Sequence, residues 1–175
     1  LDRSSAASDV YKRQLYNCKM VQAQDGVSVE SDTLGALLYP LEGDTFALDM
    51  VIKPERYHEF GIALHVDKEL ETGYFLRMNP KNQLVAWDMW PRGEQGRYQW
   101  QIKGDVPYQI ETARKLPKAE EYRVHIIKEK DICVVYINDE IVLSTRMYNH
   151  KDGYAGIYVV QGDVKLIQYK EKRSE

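Results

Sequence analysis

Residues 131–148 read D-I-C-V-V-Y-I-N-D-E-I-V-L-S-T-R-M-Y, two runs of β-branched and aromatic residues around the polar turn Asn138-Asp139-Glu140. The pattern is that of a β-hairpin, because such side chains suit a pleated surface while Asn and Asp tolerate tight turns. Ile132, Val134 and Tyr136 fall on one face of the first strand and Cys133, Val135 and Ile137 on the other. Apolar on both faces, this strand is expected in the middle of a buried sheet. The second strand departs through Ser144, Thr145 and Arg146, back toward the surface. The hairpin marks core, and the chemistry is to be sought elsewhere.

The same period-two rhythm governs the rest of the chain, and no segment sustains a helical period. Strands are expected near 26–31, 34–39 (ended by Pro40), 45–52, 60–66, 73–78, 83–90, 98–102, 108–110, 122–128, 153–161 and 164–169. Asn79-Pro80-Lys81-Asn82 reads as the turn of a second hairpin, since Pro80 fixes φ and both Asn residues accept tight geometry. Lys53-Pro54-Glu55-Arg56 and Gly162-Asp163 also read as turns, and 111–121 as loop. About twelve short strands at regular spacing predict an all-β fold, a two-sheet antiparallel β-sandwich of jelly-roll, concanavalin-like type. At 175 residues this is one domain, placed at 15–170, with 171–175 as a charged tail. Residues 1–14, ending D-V-Y-K-R-Q, resemble translated adapter sequence and are expected to be non-native or disordered. On that reading the natural protein continues upstream.

Charge and cysteine usage narrow the chemistry. A formal net charge of −3 provides no basic field for phosphates, so nucleic acid is not an expected partner. No apolar run reaches the ~18 residues of a membrane-spanning helix, and no membrane partner is expected. Cys18 and Cys133 are too few for a disulfide framework or a cysteine metal cluster, and Cys133 lies within the apolar strand as a small hydrophobe. His58, His65, His125 and His150 lack metal-ligand spacing, so neither metal nor cofactor is expected. There is no G-x-S-x-G, H-E-x-x-H, phosphate loop or C-x-x-C, and no catalytic residue is assigned. A cross-sheet carboxylate pair such as Asp49 with Asp88 is the one arrangement left to test.

One cluster stands out: Arg77, Trp87, Asp88, Trp90, Arg92 and Trp100, with Tyr98 beside it. Flat aromatic faces stack on sugar C–H groups, and Arg and carboxylates grip vicinal hydroxyls, so these residue types on adjacent strands form a carbohydrate-binding palette. The bland reading is that the rings pack against another part of a larger protein. Strand parity splits the set, with Trp87 and Met89 on one face and Asp88 and Trp90 on the other.

The run V-V-Y-I-N-D-E-I-V-L-S-T-R-M-Y, followed by D-G-Y-A-G-I-Y-V-V-Q-G-D-V-K-L, resembles the C-terminal β-sandwich of glycoside hydrolase family 32, the invertases, levanases and inulinases. The matching stretches are 135–139, 143–146 and 156–166, and the upstream G-Y-F-L-R-M-N-P-K-N-Q-L-V-A-W-D-M-W-P-R looks like bacterial members. Val134 departs from the pattern, standing where many relatives carry Glu, so no role of that carboxylate is transferred. The resemblance implies a sandwich packed behind a catalytic β-propeller of the same parent chain. The propeller's W-M-N-D-P-N-G, R-D-P and E-C runs are absent from this sequence, so the chain alone is expected to be inactive. Carbohydrate-binding modules of family 66 are similar sandwiches that bind fructan ends, and family 43 glycosidases carry others. The cluster therefore has three expected partners: a fructose-containing oligosaccharide, the propeller, or a second copy in a homo-oligomer.

Overall fold

The computed structural model of the protein describes residues 13–90 and 108–173. They form β1 (Gln14–Tyr16), β2 (Lys19–Ala23), β3 (Gly26–Leu41), β4 (Thr45–Arg56), β5 (Glu59–Val66), β6 (Gly73–Asn79), β7 (Leu84–Trp90), β8 (Tyr108–Gln109), β9 (Tyr122–Glu129), β10 (Ile132–Ile137), β11 (Ile141–Arg146) and β12 (Gly153–Arg173). Every named pairing is antiparallel, and there is no helix among the described residues. The all-β expectation holds.

Hydrogen bonding runs unbroken through all twelve strands because β3 and β12 each serve two layers. The first half of β12 lies between β3 and β5, with Tyr158 opposite both Ala36 and Gly61. Its second half moves onto β4, with Tyr169 opposite Met50. A front layer of β1, β3, β12, β5, β6, β7 and β8 thus faces a back layer of β2, β3, β12, β4, β9, β10 and β11. The layers meet across a shared core in which Phe46, Leu48, Met50 and Ile52 of β4 alternate inward toward Phe60, Ile62 and Leu64 of β5. Ring contacts cross the gap directly, Phe60 to Tyr122 at 5.8 Å and Phe46 to His65 at 5.6 Å between centroids.

The long strand β12 stays amphipathic only by slipping register twice. Ala155, Ile157 and Val159 face the core, then the pairing shifts between Val160 and Gly162, after which Val164 and Leu166 face it. A second shift between Leu166 and Gln168 restores the first parity, so Tyr169 points inward and Gln168 and Lys170 outward. A β-bulge inserts one unpaired residue and so reverses which alternate residues face inward. Gln161 takes the strain, with φ at +49°.

Several expected boundaries move. Gly162-Asp163 is no turn: Gly162 lies in continuous strand where an added Cβ would come 1.8 Å from the Arg56 carbonyl oxygen. Pro54 pairs with Val164 within β4, and Pro40 with Tyr154 within β3, both at positions that need no donated backbone hydrogen. The expected start at residue 15 comes one residue earlier, Gln14 pairing with Leu38, and 171–173 pair with β4 instead of forming a tail. The hairpin β10–β11 forms as expected but at an edge of the back layer, since among the described residues β11 has a strand neighbour only in β10. Cys133, Val135 and Ile137 are fully buried, whereas Ile132 and Tyr136 are 45% and 36% exposed. The strand is therefore covered on one face only.

Two polar residues enter the core. Lys128 occupies the inward face of β9 and reaches the carbonyls of Lys130 and Asp44 with its ammonium, while burial lowers its pKa. His65 is buried at a left-handed backbone position, and desolvation, with the Lys128 charge behind it, lowers its pKa to about 4. It is neutral at neutral pH.

Candidate functional site

The outer face of the front layer carries its own apolar cluster, separate from the main core: Ala36, Leu38, Ala63, Val66, Leu70 and Tyr158, with Phe75 and Tyr154 packed against it. Small residues at the centre of this face make room for one large ring. Tyr158 lies across Gly61, where an added Cβ would stand 2.8 Å from the ring and 1.9 Å from the Leu76 carbonyl oxygen. Phe75 meets that ring edge-on at 5.7 Å. On one side the segment between β5 and β6 folds over the floor. Asp67 accepts hydrogen bonds from the backbone N–H of Glu71 (2.7 Å) and Thr72 (3.3 Å), and Leu70 is held down into the cluster.

Three charged side chains converge on the floor. Glu59 begins β5, Arg77 sits opposite Gly61 on β6, and Asp88 sits opposite Phe75 on β7. The Tyr158 hydroxyl donates to Glu59 Oε1 at 3.2 Å. Arg77 Nε lies 3.2 Å from Asp88 Oδ2, close enough for an ion pair, but its N–H is not directed at that oxygen. Asp88 Oδ1 is buried and accepts no hydrogen bond among the described residues. Trp90, opposite Gly73 at the end of β7, shares the parity of Asp88 and extends the face.

One guanidinium serves two half-buried carboxylates, and the pKa directions reflect the shortfall. Burial raises the pKa of Glu59, with Arg77 and the Tyr158 hydroxyl only partly offsetting it. Burial likewise raises that of Asp88 against the pull of Arg77. The Tyr158 phenol is pushed well up by burial and then by the negative charge of Glu59. Such a face offers under-used acceptors, a forked donor and aromatic surface, which suits a ligand rich in hydroxyl groups and C–H faces.

The sequence cluster divides accordingly. Arg77, Asp88 and Trp90 share the outer face. Trp87 does not join them: it is 0% exposed in the core between the layers, its indole N–H without an acceptor among the described residues. Arg92, Trp100 and Tyr98 lie outside the described residues. Glu59 and Tyr158 escaped sequence reasoning because they are 99 positions apart and meet only through the β5–β12 pairing. Asp49 and Asp88 lie in different layers and form no pair, since Asp49 meets His125 on the back. Among the described residues no His, Cys, Asp or Glu group has the makings of a metal site.

No protein-family model matches the sequence, and no curated protein does. Solved structures do. A carbohydrate-binding module of family 66 from Bacillus subtilis superimposes with a TM-score of 0.74 over 93% of this chain and 95% of its own, at 17% identity. A protein from Parabacteroides distasonis, provisionally described as a glycosyl hydrolase, gives 0.64 over 100% and 98% at 14% identity. Chicken galectin 2 gives 0.53 over 81% and 98% at 9% identity. At these identities the likeness is one of fold, and the fold is the antiparallel β-sandwich of jelly-roll and lectin type.

Proposed function

We propose that this chain is a non-catalytic carbohydrate-binding sandwich, holding a neutral saccharide against the outer face of its front layer. The observation that carries the reading is the half-buried trio Glu59, Arg77 and Asp88 around Tyr158, in which Asp88 Oδ1 is left without a donor among the described residues. A sugar hydroxyl would supply that donor, Arg77 would span two neighbouring oxygens, and Trp90 would meet a ring face. The family 66 module with which the chain superimposes is named for carbohydrate binding, and the same role here agrees with the palette of the site. A finer reading follows from the sequence resemblance: a fructan ligand, and a parent β-fructosidase whose catalytic propeller lies elsewhere in the natural chain.

Calorimetry with levan and with fructan oligosaccharides tests the proposal. The parent binds, and Arg77→Ala or Trp90→Ala weakens binding by about tenfold or more, the size of one charge-assisted hydrogen bond or one stacked ring. Absence of binding by the parent to either probe would overturn the fructan reading. Unchanged affinity in both variants would displace the site. Incubation with sucrose, inulin or levan is expected to release no fructose, and sustained turnover would refute the non-catalytic assignment.

A further inference from the structure

The outer face of the back layer carries a second constellation that the proposed site does not use. One row crosses the strands at right angles: Lys170 on β12, Asp49 on β4, His125 on β9 and Tyr136 on β10, each directly opposite the next. At about 4.8 Å per strand this row is long enough to underlie two or three sugar rings. Asp49 Oδ1 lies 2.5 Å from His125 Nδ1, which fixes the imidazole orientation and leaves Nε2 to serve an outside partner. The Tyr136 ring is 36% exposed and stands 6.2 Å from the imidazole, tilted by 35°. Asp49, His125 and Tyr136 line a depression of about 500 Å³ together with Arg123 and Gln168. Gln168 is there because of the second register slip in β12, without which it would point toward the core. Bulges recur where a strand must re-aim a side chain. Beyond the Asp49–His125 contact the flanking charges are held loosely among the described residues: Arg123 keeps Asp139 only at 3.7 Å and Lys172 reaches Asp49 only at 4.0 Å.

We infer that this back face is a second saccharide-binding site, taking a segment of neutral polysaccharide laid across the strands on Tyr136, with Asp49, His125 and Gln168 gripping its hydroxyls. The two outer faces of a sandwich point in opposite directions, so one short ligand cannot occupy both. If the front-face reading above holds, the molecule is bivalent and bridges separate polysaccharide strands. The back site itself stands without that reading.

Affinity electrophoresis through gels containing levan, inulin, xylan or mixed-linkage β-glucan separates the two. Six proteins are compared: the parent, the single variants Arg77→Ala, Tyr136→Ala and His125→Ala, and Arg77→Ala combined with each of the other two, with thermal melts confirming that each variant is folded. Two back-face variants are used so that a folding defect in one leaves the other informative. The Arg77→Ala protein is expected to remain retarded by at least one of the polysaccharides, and adding Tyr136→Ala or His125→Ala to it reduces that retardation at least fivefold. Turbidity on mixing with the same polymer appears for the parent and for neither single-face variant. Loss of all retardation in Arg77→Ala overturns the back site and leaves the front site standing. Retardation abolished by Tyr136→Ala and untouched by Arg77→Ala does the reverse. A parent retarded by none of the four polymers overturns both.

Discussion

At the scale of single residues, Asp88 shows how a binding site and a stable fold pull against each other. Its pKa is raised because burial penalises the carboxylate by more than Arg77 rewards it, and Glu59 sits in the same position. Between the ordinary carboxylate value of about 4 and the raised folded value, the native state holds more protons than the unfolded chain. Stability therefore falls as pH rises through that window and stays lower at neutral pH. Asp88→Asn removes the penalty, while Glu59 remains to balance Arg77. The expected result is a Tm at pH 7 equal to or above that of the parent, an advantage that vanishes below about pH 4. Saccharide affinity should drop about tenfold in the same protein, because an amide is a weaker acceptor than a carboxylate. A substantially lower Tm at pH 7 would mean that Asp88 is a structural ion-pair partner first. Parity along β7 makes part of this site readable in advance, since Asp88 and Trp90 are sorted from Trp87 and Met89 by counting in twos. Glu59 and Tyr158 could not be read, because no local pattern reveals which distant strand will lie alongside.

At the scale of elements, the strands that sequence reasoning found are those closed by short turns. Asn79-Pro80-Lys81-Asn82 joins β6 to β7 with Asn82 N–H donating to the Asn79 carbonyl at 3.1 Å, and Asn138-Asp139 joins β10 to β11 with both residues at positive φ. The continuous strands β3, β4 and β12 run past residues that ordinarily break a strand, Pro40, Pro54 and Gly162, and β3 also runs through Asp32-Thr33, where the sequence pattern divides it in two. What overrides the local signal is cross-strand pairing: Pro40 with Tyr154 and Pro54 with Val164, each on one side where no donated hydrogen is needed, and Gly162 with backbone close by on both. Gly162 is flanked by Ser31 of β3 and lies against the Arg56 carbonyl, so the absence of a side chain is what lets the strand continue. Gly162→Ala is expected to destabilise the protein by about 2–3 kcal/mol, the cost of forcing a methyl group into packed backbone. Gly43→Ala is the control: Gly43 has φ at +81° but nothing within 4 Å of an added Cβ, so it should cost only about 1 kcal/mol of backbone strain. Urea midpoints at constant m-value measure both. Equal losses in the two variants would show that backbone conformation, and not the close approach, makes Gly162 necessary.

At the scale of the whole molecule, β12 makes the two layers one cooperative unit. It pairs with β5 and β3 in front and with β3 and β4 behind, so neither layer has its central strand until the last part of the sequence is in place. The apolar residues it contributes, Ala155, Ile157 and Val159 in front and Val164 and Leu166 behind, belong to a single core cluster. Folding such a sheet requires closure of long loops, Gly26–Leu41 finding a partner more than a hundred positions away, and the entropy is lost before most contacts form. A chain ending at Gln161 keeps the front half of β12 but removes the strand between β3 and β4 behind. Val29, Ile52 and Met50 would lose their cover, and the edges of β3 and β4 that β12 pairs with would open. The truncated protein is therefore expected to show no cooperative thermal transition and to be degraded by dilute protease under conditions in which the full chain survives. A chain ending at Glu171 loses the pairs of Lys172 with Ala47 and Arg173 with Phe46 at the end of the ladder and the surface ion pairs of Arg173 with Glu42 and Glu171 and of Lys172 with Asp49, and should melt cooperatively within a few degrees of the parent. A cooperative transition in the protein ending at Gln161 would show that the front layer folds by itself and that β12 joins two independent units.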